Sequence, residues 1–539
     1  MKNIVILFCL LALPGLVHAQ EAPYDIIVKN GMIYDGSGGE PYAGDVAVRD
    51  GRIVRIGDLS TAEADNIIDA AGQAVSPGFI NVLSWGANPL LADGRSMSDI
   101  KQGVTLEVFG EGWSQGPIPG DDEEWNTLDE FLVHLVDNGV STNVASFVGA
   151  TTIRQYVLGN SDRAPNRSEL NQMRNLVREA MEDGALGLGT SLIYAPAFFA
   201  TTEELIALSE VAAEYDGIYI SHLRSEGNRF EESVEELITI SREAGIRAEI
   251  FHLKAAGEPN WHKLDNVIEM IENAREEGLE ISANMYNYTA ASTSLAAVMP
   301  PWTNEGGTRA WIRRLKDPET RKRIFDEIQT PSDDWENFYL AAGSPDNILI
   351  TGLAHDTLKQ YNGMSLGEIA EVRGVHPIDA AIDLTIEDGR RIGAVYFLMS
   401  DENVKRQIQL PWMSFGSDGG TFSDRMGSMV HPRAFGNFAR LLGKYVRDEQ
   451  VIPLEEAIYK LTALPAHNLR IANRGSLKEG YHADIVVFDP ETIQDHATYE
   501  NPHQYATGVS HVLVNGVQVL EDGRHTRAMP GQVVRRSAD

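Results

Sequence analysis

The chain has a single cysteine in 539 residues, at position 9. One thiol cannot build a disulfide framework or a multi-thiolate metal site within one molecule. Cations are also scarce. Lys and Arg total 45 against 78 Asp and Glu, a formal net charge of −33, and only 12 of the cations are lysines. Such acidity excludes a nucleic-acid binder, because phosphate contacts need a basic face, and argues against docking on anionic membranes. Long apolar runs are missing beyond the first twenty residues. No G-x-G-x-x-G turn and no P-loop occur, which weakens a nucleotide-binding doubly wound sheet. What is present suffices for a large core: 43% of residues are hydrophobic. The length suits one large domain or two to three ordinary ones.

Residues 1–19 read as a secretory signal. Lys2 supplies the positive start, Ile4 to Leu13 the apolar run, Pro14-Gly15 the break, and Val17-His18-Ala19 a small-x-small cleavage site. The apolar run is shorter than the roughly 20 residues a membrane span needs. Cleavage after Ala19 removes Lys2 and Cys9, so the charge becomes 44 − 78 = −34 and no thiol remains. The expected location is periplasmic or secreted.

Short strand-like segments separated by turn signals fill residues 20–75: Ile26–Val28, Met32–Tyr34, Val46–Val48 and Ile53–Ile56, with Asn30-Gly31, Asp35-Gly36 and Asp50-Gly51 between them. A similar block, 471–539, closes the chain, so both ends are expected to share one small β-domain. Between them, 76–470 alternates strand and helix. Strands are expected at Leu106–Phe109, Gly217–Ser221, Ala248–Phe251 and Leu279–Ala283. Helices are expected at Arg167–Glu182, Thr202–Ala213, Phe230–Ala244 and Leu264–Glu277. A strand–helix repeat of this length is the pattern of a parallel barrel or a doubly wound sheet. Residues 304–360 lack that rhythm and read as an inserted subdomain covering the site.

Two histidines stand out by placement. His222 and His252 each follow an expected strand, one βαβ repeat apart, at the end where a βα barrel keeps its active site. Glu111 follows another strand in Gly-Glu-Gly, a turn that lets backbone approach a bound group. Asp418 follows Pro411–Phe415, the expected last barrel strand, in Ser-Asp-Gly. One carboxylate and two imidazoles suit a catalytic zinc with an open position for water, and a nearby Asp suits proton transfer.

In this order these residues resemble the amidohydrolase superfamily, and within it the N-acyl-D-amino-acid deacylase (D-aminoacylase) branch. The similarity covers nearly all of the mature chain. Its marks are Tyr24–Gly31, Ser76–Ile80, Gly187–Tyr194, Ala200–Leu205, Ser221–Gly227, His252–Gly257, Tyr286–Thr289, Gly416–Gly419 and His431–Arg433. The resemblance implies a TIM-like (β/α)8 barrel with a small β-sandwich built from both termini. It implies His222 and His252 as zinc ligands, with Glu111 where relatives place a cysteine, and Asp418 as the catalytic aspartate. It further implies Lys254, Tyr286 or Tyr288, and Arg433 as holders of a substrate carboxylate, with help from Arg224. His431 is expected to shape the loop that presents Arg433.

One departure is large. After Ser-Pro-Gly-Phe-Ile the superfamily carries His-x-His; here Leu83 and Trp85 stand at those positions, Asn81 replaces a usual aspartate and Asn284 another. The ligand count therefore predicts one Zn2+ per chain, at Glu111, His222 and His252. Trp85 either fills the vacated volume or lines an acyl pocket. The expected activity is hydrolysis of the linear amide of an N-acyl, D-configured amino acid, a small substrate with a free carboxylate. The alternatives are a dipeptidase or cyclic-amide hydrolase of the same superfamily, or a barrel that binds without catalysis. Oligomeric state is not legible.

Overall fold

The structure, a computed structural model, describes residues 24–120, 124–423 and 429–536. The expected export segment, 1–19, lies outside the described residues. No helix among the described residues is long and apolar enough to cross a membrane.

Parallel strands make the centre. They are Phe79–Asn81, Val104–Phe109, Asn143–Ser146 (continued by Val148–Gly149), Gly187–Ser191, Ile218–His222, Arg247–Ile250, Ile281–Met285 and Met413–Phe415. Neighbours in that order pair in parallel. The first and last regions also meet. Asp418 N–H donates to Leu83 O at 2.9 Å, Trp85 N–H donates to Gly419 O at 2.9 Å, and Ser84 bridges Gly419. This arrangement is consistent with a barrel. Strands such as Ile281–Met285 are buried at every position, as parallel strands covered on both faces must be.

The helices between these strands start where local chemistry dictates. Arg167–Glu182 is capped by Asn166, which accepts from Ser168 and Glu169 N–H, while the Glu169 side chain reaches back to Asn166 N–H. Met173, Val177, Ala180 and Met181 then recur at helical spacing and are buried. Thr202–Ala213 and Phe230–Ala244 occupy their expected bounds, and Leu264–Glu276 ends one residue early.

Both ends of the chain join one nine-stranded sheet. Ala74–Pro77 pairs antiparallel with Ile485–Phe488 at the seam. Asp50 and Gly51, at φ 50° and 72°, make the tight turn expected there. Asn30-Gly31 does not make a turn. Tyr24–Ile33 runs through it as one strand with a register shift between Val28 and Gly31. Asn30 takes the left-handed conformation, φ 57°, that a bulge needs, so the same residue types serve a different purpose.

The break in βα rhythm is wider than 304–360. Ala290–Ser294, Ile348–Ile350 and Gly393–Phe397 form a separate three-stranded antiparallel sheet. Helices Thr308–Lys316 and Pro318–Gln329 stand between its first two strands.

Asp484 ties the terminal sheet to the parallel core. It accepts from the Arg474 guanidinium and, at 2.8 Å, from Asn515 N–H. Asn515 Nδ2 in turn donates to Asn143 Oδ1, on a parallel strand, at 2.8 Å. Arg474 and Asp484 are both buried. Asp484→Ala would leave the Arg474 charge unpaired, at a cost of about 3–5 kcal/mol. The expected outcome is a clearly lower urea midpoint than wild type, with Asp484→Asn falling between the two.

Candidate active site

Three side chains converge at the carboxyl ends of the parallel strands. Glu111 follows Val104–Phe109, His222 ends Ile218–His222, and His252 follows Arg247–Ile250. Their ligand atoms lie within 4.8 Å of one another and all three residues are buried. Glu111 Oε1 is 3.0 Å from His222 Nδ1 and 3.0 Å from His252 Nε2. The glycines beside Glu111 make this approach possible. A Cβ on Gly110 would sit 2.4 Å from Phe147 O, and one on Gly112 would sit 2.6 Å from the Ser191 Cβ. Both glycines have positive φ, 106° and 72°.

The donor set fits a metal. It offers one carboxylate oxygen and two imidazoles, a combination suited to zinc with an open position. Buried His222 Nε2 has no hydrogen-bond partner. Burial pushes the Glu111 carboxyl up, but His252 and His222 outweigh it and bring it down to about 2. Burial and Lys254 push His252 down, but Glu226 and Glu111 carry it up to about 9. A metal ion would have to displace that proton to use the ring nitrogen.

A second layer holds the ligands. Glu226, buried, lies with Oε1 3.0 Å from His252 Nδ1 and 2.5 Å from Lys254 Nζ. Burial raises its pKa, and Lys254 with the imidazoles outweighs that to hold it well below the carboxylate range. Carboxylates behind ligating histidines fix ring orientation and raise basicity. Asn284 Oδ1 accepts from His252 N–H at 2.9 Å and fixes the backbone there. His252 and Asp418 both adopt left-handed φ, 35° and 46°, a strained state that surrounding contacts must impose.

Asp418 is held on both oxygens. Oδ1 accepts from Trp85 Nε1 at 3.0 Å, and Arg433 Nη2 lies 2.8 Å from Oδ2. Burial pushes its carboxyl up, against the pull of Arg433. Arg433 is buried, yet its Nε and Nη1 lack partners. Its backbone N–H donates to His431 Nδ1 at 3.0 Å, and His431 Nε2 lies 2.9 Å from Ala290 O. Glu111, His222, His252, Asp418, Lys254, Tyr286 and Arg433 all line one cavity of about 420 Å³, which Trp85 also lines. The inserted segment reaches it through Phe338, Thr351 and Gly352.

Two expected carboxylate-binding residues are not brought there. Arg224 turns to a neighbouring cavity, where its guanidinium pairs with Glu236 at 2.9 Å and donates to Phe198 and Ala200 carbonyls. Those donors are satisfied by the fold. Tyr288 is buried beside the cavity, with its hydroxyl 3.5 Å from Pro432 O and its ring under Arg440. Tyr286 is the member of that pair that lines the cavity, with the Arg433 guanidinium 4.3 Å from its ring centroid. Glu226 escaped the sequence reading. Its signal was there, four residues after His222 in Ser-Glu-Gly, a carboxylate within one loop of a ligand. Tyr194, whose ring stands 5.4 Å from that of His222, and Trp113 were missed as well.

Comparison with known proteins finds relatives over nearly the whole chain. A family model described as the amidohydrolase family matches residues 343–520. The D-aminoacylase of Alcaligenes xylosoxydans xylosoxydans is 32% identical over 96% of this chain and 99% of its own length. The N-acyl-D-glutamate deacylase of Bordetella bronchiseptica, solved with zinc and a phosphonate inhibitor mimicking the tetrahedral intermediate, superposes with a TM-score of 0.79 at 31% identity. It covers 95% of this chain and 100% of its own. A D-aminoacylase described with a binuclear metal centre, one-metal activation and second-metal attenuation superposes at 0.80 and 32% identity, again over 95% and 100%. Identity at this level over the full length, together with the shared fold, establishes that the chain belongs to the amidohydrolase family, in its D-aminoacylase branch.

Proposed function

We propose that the chain hydrolyses the linear amide bond of N-acyl-D-amino acids, using one zinc ion held by Glu111, His222 and His252. We read its frame as a (β/α)8 barrel with a small β-sandwich from both termini, and the mature protein as exported after loss of residues 1–19. The observation that carries the activity is the meeting of three buried ligand atoms with Asp418 and Arg433 on one cavity wall. The named activities of the relatives support the D-amino-acid substrate. Leu83 and Trp85 offer no ligand where a second ion would need one, which supports a single metal.

A bound zinc supplies a Lewis acid and a water of lowered pKa. The chain's residues do the rest. Asp418 accepts the water's proton and returns it to the departing amine nitrogen. Its carboxyl, raised by burial, is suited to hold a proton between the two transfers. Arg433 meets the α-carboxylate with donors that lack partners. Tyr286 packs on that guanidinium and keeps it in place. Lys254, engaged with Glu226 and His252, adds positive charge to the same side.

Metal analysis and acetate release test this directly. Wild type is expected to hold zinc near one per chain and to release acetate from N-acetyl-D-amino acids. A metal-replete sample that cleaves only dipeptides or cyclic ureides would make the substrate assignment wrong. Glu111→Ala is expected to lose both metal and turnover. Glu226→Gln, acting from behind the ligands, should weaken zinc affinity by about 10–100-fold, read by competition with a chelating dye.

Trp85→Phe keeps an aromatic ring but removes the N–H that holds Asp418. A hydrogen bond to a charged group is worth about 1.5–3 kcal/mol, so kcat should fall roughly tenfold or more. KM and zinc content should stay near wild type. An unchanged kcat would show that the indole N–H does not position Asp418.

A further inference from the structure

Glu107 lies on the strand Val104–Phe109, fully buried and outside the lining of the catalytic cavity. A carboxyl at that depth is costly unless its oxygens are bonded. Three hydroxyls bond them. Ser84 Oγ donates to Oε2 at 2.7 Å, Thr421 Oγ1 donates to the same oxygen, and Thr142 Oγ1 donates to Oε1 at 2.9 Å. Thr142 shares a further hydrogen bond of 2.8 Å with Ser96. Stability alone would be served as well by an apolar side chain of that size with apolar neighbours. What sets Glu107 apart is where two of its donors come from.

Ser84 precedes Trp85, and its Oγ also accepts from Gly86 N–H at 2.9 Å. The residues on both sides of Trp85 are thus tied through one hydroxyl to Glu107. The indole needs that anchor. Trp85 is 42% exposed, so packing does not aim it, yet its Nε1 donates to Asp418 Oδ1 at 3.0 Å. Thr421 stands three residues after Asp418, in the loop that carries it. That loop is fastened on either side of Asp418 as well. Ser417 N–H donates to Asn81 Oδ1 at 2.8 Å, and Phe422 N–H donates to Ser98 Oγ at 3.0 Å. Glu107 Oε2 is therefore a single atom that joins the turn bearing Trp85 to the loop bearing Asp418. The fit is close. A Cβ on Gly86 would sit 2.5 Å from Glu107 Oε2, 2.6 Å from Thr421 Oγ1 and 2.9 Å from Ser84 Oγ.

We propose that Glu107 is a positioning residue for the proton carrier: by joining Ser84 to Thr421 it holds the Trp85 indole N–H on Asp418 Oδ1. It acts through those residues, from outside the cavity. The inference rests on the hydrolase reading above, with Asp418 as proton carrier, and extends it to a buried clamp on the neighbouring strand. Trp85 then stands on the first strand as a donor whose aim is set by a carboxyl from the second.

The test uses the zinc-loaded, full-length enzyme and its best-cleaved N-acetyl-D-amino acid. Ser84→Ala and Thr421→Val each remove one donor and little volume. One net hydrogen bond corresponds to about fivefold, so each should lower kcat by about that factor, with KM and zinc content as in wild type. Glu107→Ala removes both arms and should lower kcat by more than about tenfold. Glu107→Gln keeps an acceptor oxygen for both hydroxyls and should stay within about twofold of wild type. A double-mutant cycle supplies the readout that a purely structural role would not move. Ser84 acts through Trp85, so in a Trp85→Phe background Ser84→Ala should change kcat by less than about twofold. Losses in kcat that multiply in that cycle, losses matched by falling zinc content, a Glu107→Gln variant as slow as Glu107→Ala, or an unchanged kcat in both Ser84→Ala and Thr421→Val would each overturn the clamp. Wild type that releases no acetate, or an Asp418→Asn variant as fast as wild type, would instead overturn the hydrolase reading, and the clamp with it.

Discussion

A carboxylate buried without compensation is among the most costly groups a protein can hold. This site buries two, Glu111 and Glu226, and sets a third, half-buried Asp418, on the same cavity. Each is matched by placed cations or donors. His222 and His252 close on Glu111, Lys254 and His252 on Glu226, and Arg433 and Trp85 on Asp418. The local strain follows from the same demand. His252 and Asp418, which line the same cavity, both carry left-handed backbone, and Gly110 and Gly112 let Glu111 approach without a clash. The ligand atoms of Glu111, His222 and His252 lie close enough together to hold a metal ion as well.

The first strand shows how the fold closes without the superfamily's His-x-His. Below Trp85 lie two more buried acids, Asp99 and Glu107, and both are satisfied by neutral donors. Glu107 accepts from Ser84 at 2.7 Å, from Thr142 at 2.9 Å and from Thr421. Asp99 accepts from Asn81 Nδ2 at 2.9 Å, and Asn81 Oδ1 accepts from Ser417 N–H at 2.8 Å. Desolvation raises both acids, and hydroxyl and amide donors can serve a carboxyl whether or not it is ionised. Asparagine where relatives place aspartate therefore fits a network of neutral hydrogen bonds in place of an ion. The same zipper, Leu83 O to Asp418 N–H and Trp85 N–H to Gly419 O, brings the first strand and the catalytic loop into register.

What the sequence made legible was local. Helices such as Arg167–Glu182 carry their cap, their first-turn acid and their apolar spacing within one short window, and their bounds came out as read. The candidate ligands Glu111, His222 and His252 were legible because strand ends mark the working face of a parallel barrel. Orientation was not. Arg224 lies two residues after His222, yet its partner Glu236 sits on the following helix, and nothing nearby in sequence announces that pairing. Tyr286 and Tyr288 differ only in which neighbours crowd them, Arg433 or Arg440. The 290–397 region was opaque for a further reason. Its strands are three to five residues long and pair across many tens of residues, so neither periodicity nor a tight turn reveals them.

The acidic excess of the whole molecule changes meaning at the cavity. An anionic substrate approaches a chain of net charge −33 and is repelled over most of its surface. Attraction has to be local, and in the proposed reading Arg433 supplies it from a buried position, where charge is weakly screened. The same guanidinium holds Asp418, so in the proposed mechanism binding a substrate carboxylate and orienting the proton carrier are one event. A substrate without that carboxylate leaves Arg433 Nε and Nη1 buried and unpaired, and also loses part of what positions Asp418. Binding energy from a group remote from the scissile bond is in this way tied to the chemical step. Discrimination against substrates lacking the carboxylate then falls on kcat as well as on KM.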